Sequence, residues 1–247
     1  MDVSIVIVNY NTRPKTVDCI ASIFAQTTGL DFEVIVVDNA SIDDSVKCLR
    51  QDPRITLVAH PTNPGFGTAN NIGAQQASGK YLFFLNSDTL LLNNAVKCFF
   101  DYAEAHPGRN MVCGCALQNA DGSEGGAIGF PTLVGQLKWA CSCHIRWLIR
   151  RVRGRPAPVH SAYGQLKAGK AEVPVDAISG AALFMPKRLF DAVQGFDERF
   201  FMYFEETDLQ KRLANQGVER LLIPGPRIHH SIGSSSGKVP PFFLEKT

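Results

Sequence analysis

Residues 3–11 read Val3-Ser4-Ile5-Val6-Ile7-Val8-Asn9-Tyr10-Asn11, and residues 34–39 read Val34-Ile35-Val36-Val37-Asp38-Asn39. Each is a short β-branched run that stops abruptly at polar residues, the pattern of a strand buried on both faces. Between them, from about Pro14 to Gln26, Val17, Ile20, Ala21 and Phe24 recur at helical spacing after a Thr/Pro start. Strand, helix and strand in that order predict a βαβ unit with both strands parallel in one sheet.

Outward from that unit the alternation continues. A helix is expected after Ser41, with Asp43 and Asp44 in its first turn, where the helix dipole favours acids. Ile55 to Ala59 then supplies a third strand, about Thr68 to Ala77 a helix, and Tyr81 to Leu85 a fourth strand. This is half of a doubly wound α/β sheet. Beyond Leu85 the order loosens. Asn94 to Ala105 reads as a helix, Met111 to Leu117 as a strand, and Gly-rich sequence runs on through Gly129. Strands are expected at Ala182 to Met185 and Arg220 to Ile223, with a helix from Glu206 to Gln216 between them and loop chemistry after Gly225.

With 247 residues, 45% of them hydrophobic, the chain can bury one substantial core, and no linker composition divides it. The first residues carry an acid and run straight into a strand pattern, so no export leader is expected. No apolar run approaches the roughly 18 residues that cross a bilayer, and the expected location is cytoplasmic. Seven cysteines, an odd number, suit free thiols better than a disulfide framework. Cys113/Cys115 and Cys141/Cys143 are C-x-C pairs, not the C-x2-C of structural zinc sites, and alternation puts Cys113 and Cys115 on one buried face. Packing is the preferred role, and no zinc is assigned.

The net charge of +2 is unevenly spread: between Glu124 and Glu172 there are eight Lys or Arg and no acid. Within this basic insert, residues 138–155, Ile145, Leu148, Ile149 and Val152 follow helical spacing with Arg146, Arg150 and Arg153 on another face. Such a helix can lie on an anionic membrane with Trp139 and Trp147 at the headgroups, and equally can be a lid packed on the core. No nucleic-acid motif accompanies the charge, so nucleic acid is not an expected partner.

In open parallel sheets the ligand lies beyond the C-terminal strand ends. The residues there are Asn9-Tyr10-Asn11, Asp38-Asn39, Asn63 to Asn71 and Asn86-Ser87-Asp88. Asp38 can accept from a nucleobase or ribose, or can cap the next helix with Ser41. Asn63-Pro64-Gly65-Phe66-Gly67 is Gly-rich, but neither G-x-G-x-x-G nor G-x-x-x-x-G-K-[ST] is present, which argues against nicotinamide and P-loop enzymes. Asp88 can hold Mg²⁺ or Mn²⁺ against a diphosphate, or the Asn86-Ser87-Asp88 triplet can cap a helix before Thr89-Leu90-Leu91. Residues 195–212 set an aromatic block, Phe200-Phe201-Met202-Tyr203-Phe204, before Glu205, Glu206 and Asp208. The aromatics would draw the acids into a partly buried site, where burial and like charge raise a carboxyl pKa and make a base. Asp208 is assigned to the helix dipole.

Taken together and in order, the segments 4–11, 36–41, 63–67 with 70–73, 85–88 and 204–209 resemble family 2 glycosyltransferases, closest to the rhamnosyltransferase-like branch, over roughly residues 3 to 235. The resemblance implies a GT-A fold, a Rossmann-like mostly parallel sheet flanked by helices, and an inverting, metal-assisted sugar transfer. It implies one domain over residues 1–247, with a nucleotide-sugar half (1–118) and an acceptor and catalytic half (119–247). By position, Asn9, Tyr10 and Asp38 would hold base and ribose, and Gly67 and Asn70 would line the donor side. Asn86 and Ser87 would flank the diphosphate, and Asp88 would bind Mg²⁺ or Mn²⁺. Glu206 matches the family's general base, usually Asp, with Glu205 as the other candidate. His229-His230 matches a C-terminal His-containing loop that reaches metal or diphosphate.

The implied donor is dTDP-rhamnose ahead of UDP- or GDP-sugars. The implied acceptor is a glycan or lipid-linked glycan of bacterial surface polysaccharide, met at the inner face of the cell membrane. Two other readings stay open: a non-catalytic nucleotide-sugar-binding subunit, suggested by Asn86 and Glu206 at altered positions, and a sugar-nucleotide pyrophosphorylase, which should carry a basic Gly-rich loop after the first strand.

Overall fold

The computed structural model describes residues 1–119, 123–130, 166, 169 and 171–231. The basic insert at 138–155 and Cys141/Cys143 lie outside the described residues.

The four expected N-terminal strands are β1 (Val3–Asn9), β2 (Phe32–Asn39), β3 (Ile55–His60) and β4 (Tyr81–Asn86). They pair in parallel in the order β3-β2-β1-β4. Beyond β4 the sheet continues through β12 (Ala182–Pro186), β6 (Met111–Gly114), β13 (Glu219–Leu222) and β10 (Val173–Pro174). β12 and β10 run against the other six. The sheet therefore draws strands from both sides of residue 118.

Period-two alternation sorts the core into two layers. Ile5, Ile7, Val34, Val36, Phe83, Leu85 and Phe184 face one cluster, beneath helices α1 (Arg13–Gln26) and α4 (Ala95–Glu104). Val6, Leu82, Phe84, Leu183 and Met185 face another, beneath α3 (Phe66–Gln76), α5 (Lys187–Ala192) and α6 (Glu205–Ala214). Each fully buried Phe, Leu or Ile contributes roughly 1.5–3 kcal/mol. Gly73 lets α3 sit close on the sheet, since a Cβ there would stand 2.4 Å from Val6 Cγ1. Cys113 and Cys115 lie in one core cluster, where burial pushes both thiols up to about 12.

Several expectations need correcting. The stripe that α1 buries is Thr16, Cys19, Ile20 and Ile23, whereas Val17 and Ala21 are exposed. The second helix, α2 (Ser45–Leu49), starts after Asp43 and Asp44. Asp43 instead accepts from the backbone N–H of Arg13 and Ser45, tying two loops, and Asp44 adopts a left-handed conformation. Met111 to Leu117 is not one strand: the chain leaves the main sheet after Gly114 and enters a second sheet as β7 (Leu117–Asn119). That sheet has the order β5 (Thr89–Leu91), β14 (Ile228–His230), β7 and β8 (Glu124–Gly125). Asn86-Ser87-Asp88 therefore precedes a strand and not a helix, and the two histidines stand in a strand and not a loop. Short strands β9 (Ala127–Ile128) and β11 (Ala177–Ile178) pair separately.

Candidate functional site

The main sheet's parallel strands end at a cleft of about 390 Å³. Val8 and Tyr10 line it from the end of β1, Asn39 from β2, and Asn86, Ser87 and Asp88 from β4. Asn63, Phe66, His230 and the segment Ser179-Gly180-Ala181 complete that part, and Met202, Tyr203, Glu205 and Glu206 reach it from the loop and start of α6.

Asn9 and Asp38 are not among the lining residues. Both are buried. Asn9 Nδ2 donates to Asp38 Oδ2 (2.5 Å) and Ser41 Oγ (3.0 Å), and its Oδ1 accepts from Thr12 and Thr16 hydroxyls. Asp38 Oδ1 accepts the Ser41 backbone N–H (2.9 Å), and the Thr12 and Ser87 hydroxyls meet at 3.1 Å. A satisfied buried network of this kind rigidifies the strand ends from behind.

The residue at the end of β2 that does face the cleft is Asn39. Asn63 Oδ1 accepts the Gly65 N–H (3.0 Å), which fixes that oxygen's direction, and Asn39 Nδ2 donates to it (3.2 Å) and to Gly65 O (3.3 Å). Asn39 Oδ1, buried, is left without a hydrogen-bond partner among the described residues. A buried acceptor in that state costs about 1–3 kcal/mol until something donates to it. The sequence signal was only its position after a strand.

Asp88 and His230 meet because β5 and β14 pair, with Thr89 opposite His230. Asp88 is 5% exposed, its Oδ1 lies 3.3 Å from His230 Nε2, and its backbone oxygen accepts from Ser231 N–H. His229, one residue earlier on a strand, lies opposite Leu90 and outside the cleft, with Nε2 near the Ser231 hydroxyl (3.4 Å). Asn86 Oδ1 is buried with no hydrogen-bond partner among the described residues. One carboxylate, one imidazole and one amide oxygen fit Mg²⁺ or Mn²⁺ of the kind that leaves positions for substrate phosphates. Among the described residues no group of three His, Cys, Asp or Glu could make a protein-only cage.

Gly67 and Asn70 do not line the cleft. A Cβ on Gly67 would approach Phe196 Cβ (3.1 Å) and Glu205 Cβ (3.3 Å), so its smallness lets α3 pack behind the acid. Asn70 is buried and donates to Phe66 O. The close backbone approach expected of the Gly-rich turn is made to protein: Phe66 N–H donates to Phe201 O (2.9 Å), and at Gly65 (φ +99°) a Cβ would stand 2.4 Å from that oxygen. Asn71 adds a reciprocal clamp on the backbone of Phe196.

Glu205 is 4% exposed, with Oε2 unpartnered among the described residues. Burial, then the neighbouring Glu206 charge, pushes its carboxyl up to about 8. Glu206 is half-buried, also raised by burial, and accepts from the Thr207 hydroxyl. Asp208 pairs with Arg212 along α6, outside the cleft. Gln210, unnoticed in the sequence, is fully buried and bonds both backbone groups of Ile178 and the oxygen of Glu206, holding α6 to the strand before Ser179.

A family model described as Glycosyl transferase family 2 matches residues 4–140. An N-acetylglucosaminyl-diphospho-decaprenol L-rhamnosyltransferase of Mycobacterium tuberculosis is 27% identical over 96% of this chain and 78% of its own length. The O-antigen biosynthesis protein RfbC of Myxococcus xanthus is 27% identical over 93% of this chain, which spans 17% of that protein. Among solved structures, GalNAc-T7 with UDP, GalNAc and Mn²⁺ superposes with TM-score 0.68 at 16% identity, over 94% of this chain and 44% of that one. S. aureus TarS 1-349 with UDP gives 0.64 at 16% identity, over 94% and 61%. At such identities the likeness is one of fold: the GT-A fold, with its large, mostly parallel sheet between helices.

Proposed function

The chain belongs to glycosyl transferase family 2, and from that premise we propose an inverting transfer of a sugar from a nucleoside diphosphate to a hydroxyl of a glycan or lipid-linked glycan. The enzyme is a glycosyltransferase; the donor we favour is dTDP-rhamnose, in bacterial cell-surface polysaccharide synthesis. The rhamnosyl relative supports that choice. The observation that carries the reading is that one cleft at the strand ends is lined by Asp88 and His230 and also by Glu205 and Glu206.

On this reading Tyr10, Asn39 and Asn63 meet the nucleoside, with Asn39 Oδ1 accepting a base N–H. Asp88, His230 and Asn86 hold Mg²⁺ or Mn²⁺, which when bound neutralises charge on the diphosphate. Glu206 is the base. It is the more exposed of the two acids, while Glu205, held neutral, removes the like charge that would oppose Glu206 ionising. The acceptor oxygen bonds to the anomeric carbon as the bond to the diphosphate oxygen breaks, and the acceptor proton passes to Glu206. Inversion needs one such carboxylate and no covalent glycosyl-enzyme.

A lipid-linked acceptor would bring the basic segment 138–155 to anionic headgroups as a peripheral contact. Among the described residues no helix is long and apolar enough to cross a membrane.

The test is nucleoside diphosphate release from dTDP-, UDP- and GDP-sugars with Mg²⁺ or Mn²⁺ and a lipid-linked glycan, comparing wild type with Glu206→Gln and Asp88→Asn. Metal-dependent release that both variants lose supports the assignment. Release that persists in Glu206→Gln overturns the base.

A further inference from the structure

Two aromatic side chains stand in solvent immediately before the paired acids. Tyr203 is 44% exposed and Phe204 51% exposed. Both adopt left-handed backbone conformations, φ +69° and +68°, in succession. Bulky residues adopt that region only where the surroundings impose it, and such outliers gather at ligand sites. The imposition is visible. Phe201 O is bound by Phe66 N–H at one end of the loop, and Phe204 O accepts the Asp208 N–H at the start of α6 at the other. The chain thus holds two aromatic rings out of the core at a cost, and neither packs in any of the core clusters.

Tyr203 lines the same cleft as Glu205 and Glu206, with Met202 beside it. A hydroxyl that gives its proton to Glu206 must lie within hydrogen-bond reach of it. The ring bearing that hydroxyl must therefore rest on residues neighbouring Glu206. A sugar ring has hydroxyls at its rim and a C–H face, and a tyrosine offers an apolar body with a polar tip. An alkyl chain would use the apolar body alone and bring no hydroxyl to Glu206.

We propose that Tyr203, with Phe204 at its outer edge, is the platform on which the acceptor's sugar ring packs beside the paired carboxylates. The proposal rests on the transferase reading and names the acceptor's contact surface within it.

Saturation-transfer NMR on the full chain with dTDP and Mg²⁺ tests it without turnover. The probes are methyl glycosides of glucose, galactose, mannose, rhamnose and N-acetylglucosamine, and octyl glucoside. The expected result is saturation of ring C–H protons of at least one methyl glycoside, reduced about tenfold in Tyr203→Ala, kept in Tyr203→Phe and Tyr203→Trp, and weakened in Phe204→Ala. With that sugar as acceptor, Tyr203→Ala raises the acceptor KM about tenfold, while kcat and donor KM stay within about twofold. No saturation of any methyl glycoside, equal saturation in Tyr203→Ala, or saturation confined to the octyl chain overturns the platform. Donor turnover failing in wild type would overturn the transferase reading, whereas the NMR contact would still decide the platform.

Discussion

His230 Nε2 lies 3.3 Å from Asp88 Oδ1, although one residue ends β14 and the other sits in the turn just before β5, its partner strand in the small sheet. Removing either side chain dismantles the pair. Asp88→Asn is expected to weaken Mn²⁺ binding in the presence of dTDP by about tenfold or more, and His230→Ala by less, because the carboxylate is the harder ligand. His229→Ala, outside the cleft, leaves Mn²⁺ binding unchanged. Titration of the free Mn²⁺ EPR signal reads all three.

Glu205 gives the fold a pH dependence of known sign. Its carboxyl is raised from 4.5 to about 8, so between those values the folded chain keeps a proton that the unfolded chain has released. Its contribution to stability is therefore greatest at the acid end of that window and is lost as pH rises toward 8, with a total on the order of a few kcal/mol. Glu205→Gln, a neutral isostere, should flatten that slope and melt higher than wild type near the alkaline end. Thermal unfolding across the window decides; an unchanged slope would refute the assignment.

Asn39 is expected to act on the donor alone. Asn39→Ala removes the buried acceptor and should weaken nucleoside diphosphate affinity by about tenfold, near the worth of one hydrogen bond to a buried partner. Calorimetric titration with dTDP and UDP measures it. Asp38→Asn, behind the cleft, should instead lower the melting temperature by disturbing the bonds to Asn9 and Ser41.

Gly65→Ala places a Cβ against Phe201 O in a left-handed conformation. The expected cost is about 1–3 kcal/mol, together with displacement of the loop that carries Tyr203. Loss of acceptor turnover should then exceed loss of nucleotide affinity, as comparison of kinetics with calorimetry would show.

The N-terminal βαβ pattern was legible because each strand is a buried apolar run, although the stripe that α1 buries, Thr16, Cys19, Ile20 and Ile23, differs from the expected Val17, Ile20, Ala21 and Phe24. The acids at 205 and 206 were legible because an aromatic block preceded them. Asn39 was passed over in favour of Asp38, since a charge after a strand suggests a ligand; the carboxylate is instead consumed by the local Ser41 N–H and by Asn9 from a neighbouring strand end. Gly67 and Asn70 suggested a ligand loop, yet the tight approach is to Phe196 and Glu205, far along the chain. The pairing of β14 with β5 was invisible because three residues carry no periodicity, and only the partner strand defines them. The aromatic block was expected to draw the acids into a partly buried site, yet Tyr203 and Phe204 are themselves exposed, and nothing local reveals their left-handed backbone.

That same three-residue strand ties together parts of the site that are distant in the sequence. The residues proposed to meet the nucleoside, Tyr10, Asn39 and Asn63, lie just after β1, at the end of β2 and in the turn before α3, so the loops between them are short. Asp88 meets its partner only through the pairing of β5 with residues 228–230, a contact of high sequence separation. The proposed nucleoside wall is thus encoded locally, whereas the proposed cation pair is encoded by segments far apart in the sequence.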